Sequence, residues 1–306
     1  MKKNVNNRMV AKRKELLFCI LMVLLPTLQF VLFYIVTNAN SFFLAFKKHE
    51  YGMFKWDGTG RFVEVFNDLF GETINSGMVQ EAIKNSFIVY FVGLLTSLVF
   101  TLLFAYYIHK KYWGGKIFKV LLFLPNILSM LTLCFLFKFF VNRAVPEIFM
   151  DAFGKDIGIP MIDGAPTEYG LLMFAFIFFG LGTQLILYLG AMSGISDSII
   201  EASEIDGISS MQQLWYIVIP MIFPTIKTFL VCGLAGIFVN QFNLMNFYGL
   251  GRDNDITIGY YFYRRITEGM ENYPYISAFG LMLSAVLIPV TLIINKLLEK
   301  VERNLA

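Results

Sequence analysis

The chain has 306 residues, of which 57% are hydrophobic and 15% charged, and its formal net charge is +3. Long uncharged runs in such a composition exclude a soluble globular domain and indicate an integral membrane protein, so membrane lipid is the expected surrounding. The small net charge gives no reason to expect a nucleic-acid partner.

The first apolar run, 16–36, follows a basic tail over 1–15 that carries Lys2, Lys3, Arg8, Lys12, Arg13 and Lys14. It is too long for a signal-peptide core and lacks a small-x-small cleavage site, so a retained first span is expected. Further runs at 86–108, 117–141, 171–192, 221–247 and 276–294 each reach about 30 Å at 1.5 Å per helical residue, which predicts an all-α fold of six transmembrane helices. Lys110, Lys111 and Lys116 lie between the second and third runs, and Lys296, Lys300 and Arg303 follow the last. This positive-inside pattern predicts cytoplasmic termini in a plasma membrane, with an extracytoplasmic loop at 37–85, a core at 86–294 and a cytoplasmic tail at 295–306.

Within the first loop, Phe62, Val63, Phe66, Leu69 and Phe70 fall at helical spacing. A short amphipathic helix is predicted over 61–70, either covering span ends or lying at the membrane surface. Pro125 is expected to kink the third helix. Lys138 and Lys227, near span ends, are expected to snorkel to the interfaces. Pro146, Gly154, Pro160, Gly164 and Pro166 predict that 142–168 is ordered by turns rather than long helices. The loop 249–273 carries Arg252, Asp253, Asp255, Arg264 and Arg265, charges that suit either a docking surface or an ordinary solvated loop.

Cys19, Cys134 and Cys232 all fall in apolar runs and are expected to be small buried hydrophobes, while His49 and His109 are isolated. No disulfide frame, metal site or catalytic residue is therefore expected. Gly115-Lys116 has Lys110 where a phosphate-binding loop needs its first glycine and Ile117 where it needs Ser or Thr, and Gly154-Lys155 has Phe149 and Asp156 at those places. The chain is not expected to be an enzyme or to bind ATP.

Polar side chains inside spans are costly and therefore informative. Asn240, Gln241, Asn243 and Asn246 alternate with Phe238, Phe242 and Phe247 in the fifth run, and Gln184 and Tyr188 share a face of the fourth. On a continuous helix Asn240, Asn243 and Phe247 form one stripe. Gln184, Tyr188, Asn240, Gln241, Asn243 and Phe247 are thus candidates for a sugar path; the same amides could equally join helices to one another.

Between the fourth and fifth runs stands a polar stretch with Asp197, Glu201, Glu204 and Asp206 and no Lys or Arg from 195 to 224. Ser198 with Glu201 and Ser210 with Gln213 have capping-box spacing, Gly207 can end the first short helix, and Leu214, Trp215, Ile217 and Val218 give the second an apolar face before Pro220. A loop this acidic invites a basic partner.

This stretch resembles the EAA loop of the permease subunits of binding-protein-dependent ABC importers. Glu201, Ala202, Gly207, Ile217, Ile219 and Pro220 occupy the motif's places. Ser203 stands where a second Ala is usual, Ile219 where Leu is usual and Ile208 where a small Ala is usual, while Asp206 and Pro224 suit the carbohydrate branch. The likeness runs from about Phe62 to the C-terminus; the stretch 263–278 and the short tail resemble the first permease subunit of maltose and glycerol-phosphate type systems. The resemblance implies a cytoplasmic coupling helix between helices 4 and 5, seated in an ATPase groove, with Glu201, Ala202, Ser203, Asp206, Gly207, Ile217 and Pro220 as coupling residues and Glu201 paired to a basic group. It implies a second homologous permease, an ABC ATPase dimer holding the ATP and Mg, an extracytoplasmic solute-binding protein, a carbohydrate cargo and alternating access. A peptide, amino-acid or polyamine cargo is the nearest alternative; a secondary carrier or scaffold is another, although no repeated halves are visible.

Overall fold

The computed structural model describes residues 2–161, 167–252 and 257–305, with side chains from residue 14 onward. Helix α1 (Lys2–Phe30) continues through a π turn at Val31–Ile35 into α2 (Val36–Leu44). A hairpin, β1 (Lys47–Glu50) and β2 (Met53–Trp56), leads to α3 (Gly60–Phe70) and α4 (Ser76–His109). Next come α5 (Gly115–Phe123), a 3-10 turn at Leu124–Ile127, α6 (Met130–Phe139), a π turn at Phe140–Ala144 and α7 (Val145–Phe153). The remainder comprises α8 (Glu168–Ser193), α9 (Asp197–Ile205), α10 (Ser210–Gln213), a π turn at Leu214–Val218, α11 (Ile219–Ala235), α12 (Leu244–Tyr248), α13 (Ile258–Glu268), a 3-10 turn at Met270–Asn272 and α14 (Tyr273–Leu305).

Five stretches among the described residues, Lys14–Leu44, Ser76–His109, Glu168–Ser193, Ser210–Ala235 and Met270–Leu305, are long and apolar enough to cross a membrane. The pair Gly115–Ile127 and Met130–Phe153, bent by 106°, supplies a sixth when counted as one span. The chain is thus all-α apart from the small hairpin, and it divides into two compact units, Met1–Phe66 with Glu268–Met282 and Asn67–Thr267 with Leu283–Ala306.

In the first unit the hairpin turns through Tyr51 and Gly52, both at positive φ (52° and 78°), as a two-residue turn matched to strand twist requires. Phe46 stacks on Trp56 with ring centroids 5.7 Å apart and meets Phe62 at 5.1 Å, so the helix predicted over 61–70 uses its aromatic face to cover the hairpin. The Glu50 carboxyl is held below its usual range by a hydrogen bond from Lys55 and by the charges of Lys48 and Lys55.

In the second unit α4, α8 and α11 pack around Leu102, Ala105, Tyr106, Leu185, Tyr188, Met192, Val218 and Ile222. Their three- and four-residue spacings put one apolar stripe of each helix in the core. The expected kink at Pro125 is a full break. Gly182 of α8 makes room for it, since a Cβ there would lie 2.8 Å from the Leu122 carbonyl oxygen, and Thr183 Oγ1 donates to Asn126 Oδ1 at 2.7 Å.

Several sequence expectations need correction. The helix of the second run begins at Ser76, well before residue 86, and runs unbroken to His109. The segment after the third run is not purely turns: α7 starts at Val145 with Pro146 in its first turn, where proline fits, and is capped by Gly154 at φ 62°. Gly164 and Pro166 lie outside the described residues. Lys227 does not snorkel but meets Glu302 Oε2 at 2.5 Å, tying α11 to α14. Lys138 also points inward, with Nζ 4.1 Å from the Tyr248 ring centroid and 3.4 Å from the Phe247 carbonyl oxygen. Only Cys134 is buried; Cys19 and Cys232 are exposed, as apolar side chains on a lipid-facing or cavity-facing helix surface can be.

Candidate functional site

The polar stretch folds as two short helices around a glycine. Gly207 takes φ 74° and its N–H donates to the Glu204 carbonyl at 3.1 Å, closing α9 in the left-handed conformation that a residue without Cβ adopts cheaply. Ser196, not Ser198, is the N-cap of α9, and the hydroxyls of the two serines lie 2.6 Å apart, so the Ser198 to Glu201 box does not form. The second box is one residue earlier than expected. Ser209 Oγ accepts from the Gln212 N–H at 3.3 Å, and Gln212 Oε1 accepts from the Ser209 N–H at 2.9 Å. That register frees Gln213 to turn inward, where it is 1% exposed.

The seven coupling candidates do not share one environment. Glu201, Ala202, Asp206 and Gly207 are exposed, Ser203 is buried, and Ile217 and Pro220 are half-buried where the chain enters α11. Leu214 and Val218 face the core, but Trp215 is 59% exposed, because the π turn at 214–218 rotates it away from the apolar face assigned from spacing. Ile205 is 86% exposed beside Ala202 and Glu201, so α9 presents an acid and two apolar side chains outward. Two contacts tie this element to the end of α4: Glu204 of α9 pairs with Lys110, and the Tyr112 hydroxyl is 2.9 Å from Ser210 Oγ of α10.

A cavity of about 380 Å³ opens between α4, α8 and α11. Gln184, Tyr188 and Asn240 line it, together with Ser86, Tyr90 and Thr257. Most of these polar groups are already engaged: Ser86 Oγ donates to the Ala82 carbonyl and accepts from the Ile258 N–H at 2.9 Å, and the Tyr90 hydroxyl donates to the Leu230 carbonyl at 3.1 Å. The Gln184 amide has no hydrogen-bond partner among the described residues. Gln241, Asn243 and Phe247 do not line the cavity.

The reason is a correction to the fifth run. Helix α11 ends at Ala235, and 236–243 is a chain of turns in which Phe242 and Asn243 take φ 55° and 56°. Asn240, Asn243 and Phe247 therefore do not form a helical stripe. Asn240 Oδ1 accepts from the Phe242 N–H at 2.8 Å, its carbonyl accepts from Thr257 Oγ1 at 2.8 Å, and Phe247 is buried 6.2 Å from the Phe137 ring. Gly236 stands at the C-cap of α11, and the polar residues that follow, Asn240, Gln241 and Asn243, read in sequence as a helical face rather than as a break. Gly259 permits the close approach: a Cβ there would lie 2.5 Å from the Val239 oxygen and 2.7 Å from the Asn240 oxygen. Gly259→Ala is expected to destabilise the protein by about 1–3 kcal/mol, because only backbone can yield, and a denaturant titration checks it.

Sequence reasoning missed Ser86, Tyr90, Gly93 and Ser97, all on the cavity side of α4. Their four- and three-residue spacing was a readable signal of a polar and small stripe. It also missed that Arg252 and Arg264 of the loop are buried. Arg252 is 0% and Glu168 1% exposed; they form an ion pair that the Tyr248 hydroxyl joins, and Arg264 Nη1 donates to the Arg252 carbonyl at 3.1 Å. Arg252 and Arg264 are thus structural groups rather than solvated docking charges, and Asp253 and Asp255 lie outside the described residues.

A multi-span helical protein with a broken third span, a lined cavity and a two-helix polar loop between its fourth and fifth spans is a membrane permease in its construction. The chain belongs to the family described as "Binding-protein-dependent transport system inner membrane component", whose pattern matches residues 98–305. It is similar to the multiple sugar-binding transport system permease protein MsmF of Streptococcus mutans, with 26% identity over 282 residues covering 90% of this chain and 92% of that one. It is also similar to the lactose transport system permease protein LacF of Rhizobium radiobacter, at 25% identity over 73% of this chain and 74% of that one. A chain in the crystal structure of a bacterial ABC transporter involved in alginate import shares the fold, with a TM-score of 0.75 at 22% identity over 94% of this chain and 96% of that one. The same fold recurs in a structure of the alginate transporter in complex with its pentasaccharide-bound periplasmic protein.

Proposed function

We propose that this chain is the transmembrane permease subunit of an ATP-driven importer that moves a sugar or oligosaccharide across a bacterial plasma membrane, with both termini cytoplasmic. Alternating access of the spans is driven by a separate ABC ATPase dimer, which holds the ATP and Mg and docks on 196–220. A second, homologous permease completes the pathway, and an extracytoplasmic solute-binding protein delivers the cargo.

The observation that carries the reading is the outward face of α9, where Glu201, Ala202 and Ile205 are exposed while Ser203 is buried and held from behind by Gln213. An acid flanked by apolar side chains suits a groove with a basic rim. The sugar assignment is supported by the names of the relatives and by the cavity: its volume falls within the roughly 300–1,000 Å³ of small-molecule sites, and its wall offers an unpaired amide at Gln184 beside the ring of Tyr188. Amides grip hydroxyls and rings cover an apolar sugar face, the two contacts a carbohydrate lining needs.

Cysteine crosslinking in native membranes tests the docking. Ile205→Cys, 86% exposed in the parent chain, is expected to form a crosslinked band with the ATPase, whereas Ser203→Cys, at a position 4% exposed, is expected to give little. Equal absence of ATPase from both would favour a carrier or scaffold that works alone.

A further inference from the structure

We propose that Gln213 is a positioning residue that latches the coupling element to the inner end of α4. Its amide joins three segments. The Tyr106 hydroxyl of α4 donates to Gln213 Oε1 at 2.6 Å, while Gln213 Nε2 donates to Ser203 Oγ and, at 3.3 Å, to the Ile200 carbonyl of α9. Ser203 in turn donates to the Ile200 carbonyl at 2.6 Å. All three side chains are buried, with exposures of 5% for Tyr106, 4% for Ser203 and 1% for Gln213.

The chemistry explains two sequence features at once. An Ala at 203 could not accept from Gln213, so the serine that departs from the usual Glu-Ala-Ala is the partner this glutamine requires. The capping box at Ser209 and Gln212 sets the register that sends Gln213 inward rather than into the cap. Buried hydrogen bonds in a low-dielectric setting are strong and costly to leave unmade, so this chain of donors holds α9 at a fixed angle to α4. The outer clamps are weaker. The Lys110 to Glu204 pair involves a carboxylate 56% exposed, and such pairs contribute little. None of Tyr106, Ser203 and Gln213 lines the cavity, so the latch acts on the transmission of motion and not on cargo binding.

The inference rests on reading 196–220 as the ATPase-coupling element. The test uses the complex purified from its native membrane and measures basal ATP hydrolysis, which needs no identified sugar, together with the yield of assembled complex. Tyr106→Phe removes one hydroxyl and keeps the ring; Ser203→Ala removes the other partner. Each is expected to raise basal hydrolysis roughly three- to tenfold, the loss of one buried hydrogen bond, at unchanged yield. The double variant is expected to match the singles, since both act through one amide. Parent-level hydrolysis in both variants, or changes that only follow the yield of complex, would overturn the latch. Failure of the underlying reading looks different: the parent chain is recovered with no ATPase, or Glu201→Lys retains it fully, and the latch then falls with that reading.

Discussion

Arg252→Met is expected to lower the unfolding free energy by about 3–5 kcal/mol, the cost of leaving one member of a buried ion pair alone. Arg252 and Glu168 have exposures of 0% and 1%, and the Tyr248 hydroxyl donates to the same carboxylate oxygen that meets the guanidinium. Arg252 Cζ also sits 5.0 Å from the Tyr248 ring centroid, and its carbonyl accepts from Arg264. Removing the cation strands the Glu168 carboxylate at the start of α8 without removing its desolvation. Removing both charges is a milder change, because no uncompensated ion remains. Denaturant titration in detergent, followed through the reactivity of the buried Cys134, should show a large midpoint shift for Arg252→Met and recovery of most of it in Glu168→Leu/Arg252→Met. A single variant within about 1 kcal/mol of the parent would mean that the pair is not desolvated in the membrane-embedded protein.

Gly207→Pro is expected to abolish ATP-driven uptake. The native φ of 74° is incompatible with the proline ring, which fixes φ near −65°, and the substitution deletes the N–H that donates to Glu204. Helix α9 can then no longer end where it does, and the outward face of Glu201, Ala202 and Ile205 is redirected. Glu201→Lys attacks the same surface by charge alone: Glu201 is exposed, so folding should be unaffected while affinity for a basic groove falls. The pair of variants separates shape from charge. Vesicles from cells carrying each should contain the permease at near parental amounts and show uptake lost in both. Undiminished uptake in both variants would show that this loop does not couple to an ATPase.

Much of this was legible in the chain because membranes constrain sequence so strongly. The six apolar runs map onto five long helices and one broken span, and Gly207, placed at a helix end by its lack of a side chain, takes the left-handed conformation. The family resemblance was carried by Glu201, Ala202, Gly207 and Pro220, and the family match over 98–305 agrees with it. Tertiary detail was less visible. The end of α11 at Ala235 falls inside a run that reads as one helix, because Asn240, Gln241 and Asn243 beyond it suit a polar helical face as well as a chain of turns, and hydropathy carries no sign of the positive φ of Phe242 and Asn243. Charge in a loop sequence says nothing about burial, so Arg252 could pass for a solvated group until Glu168 was found against it. The one-residue shift of the capping box from Ser210 to Ser209 had the largest consequence, because two overlapping Ser-x-x-Gln spacings fit the same stretch and only packing against Tyr106 chooses between them.

The most direct test of the account is purification of the tagged chain from its native membrane in mild detergent, with its companions identified by mass spectrometry. The account predicts an ABC ATPase, a second six-span permease and, where it stays bound, a solute-binding protein carrying a sugar. Recovery of this chain alone, with no ATPase even after crosslinking through Ile205→Cys, would contradict it.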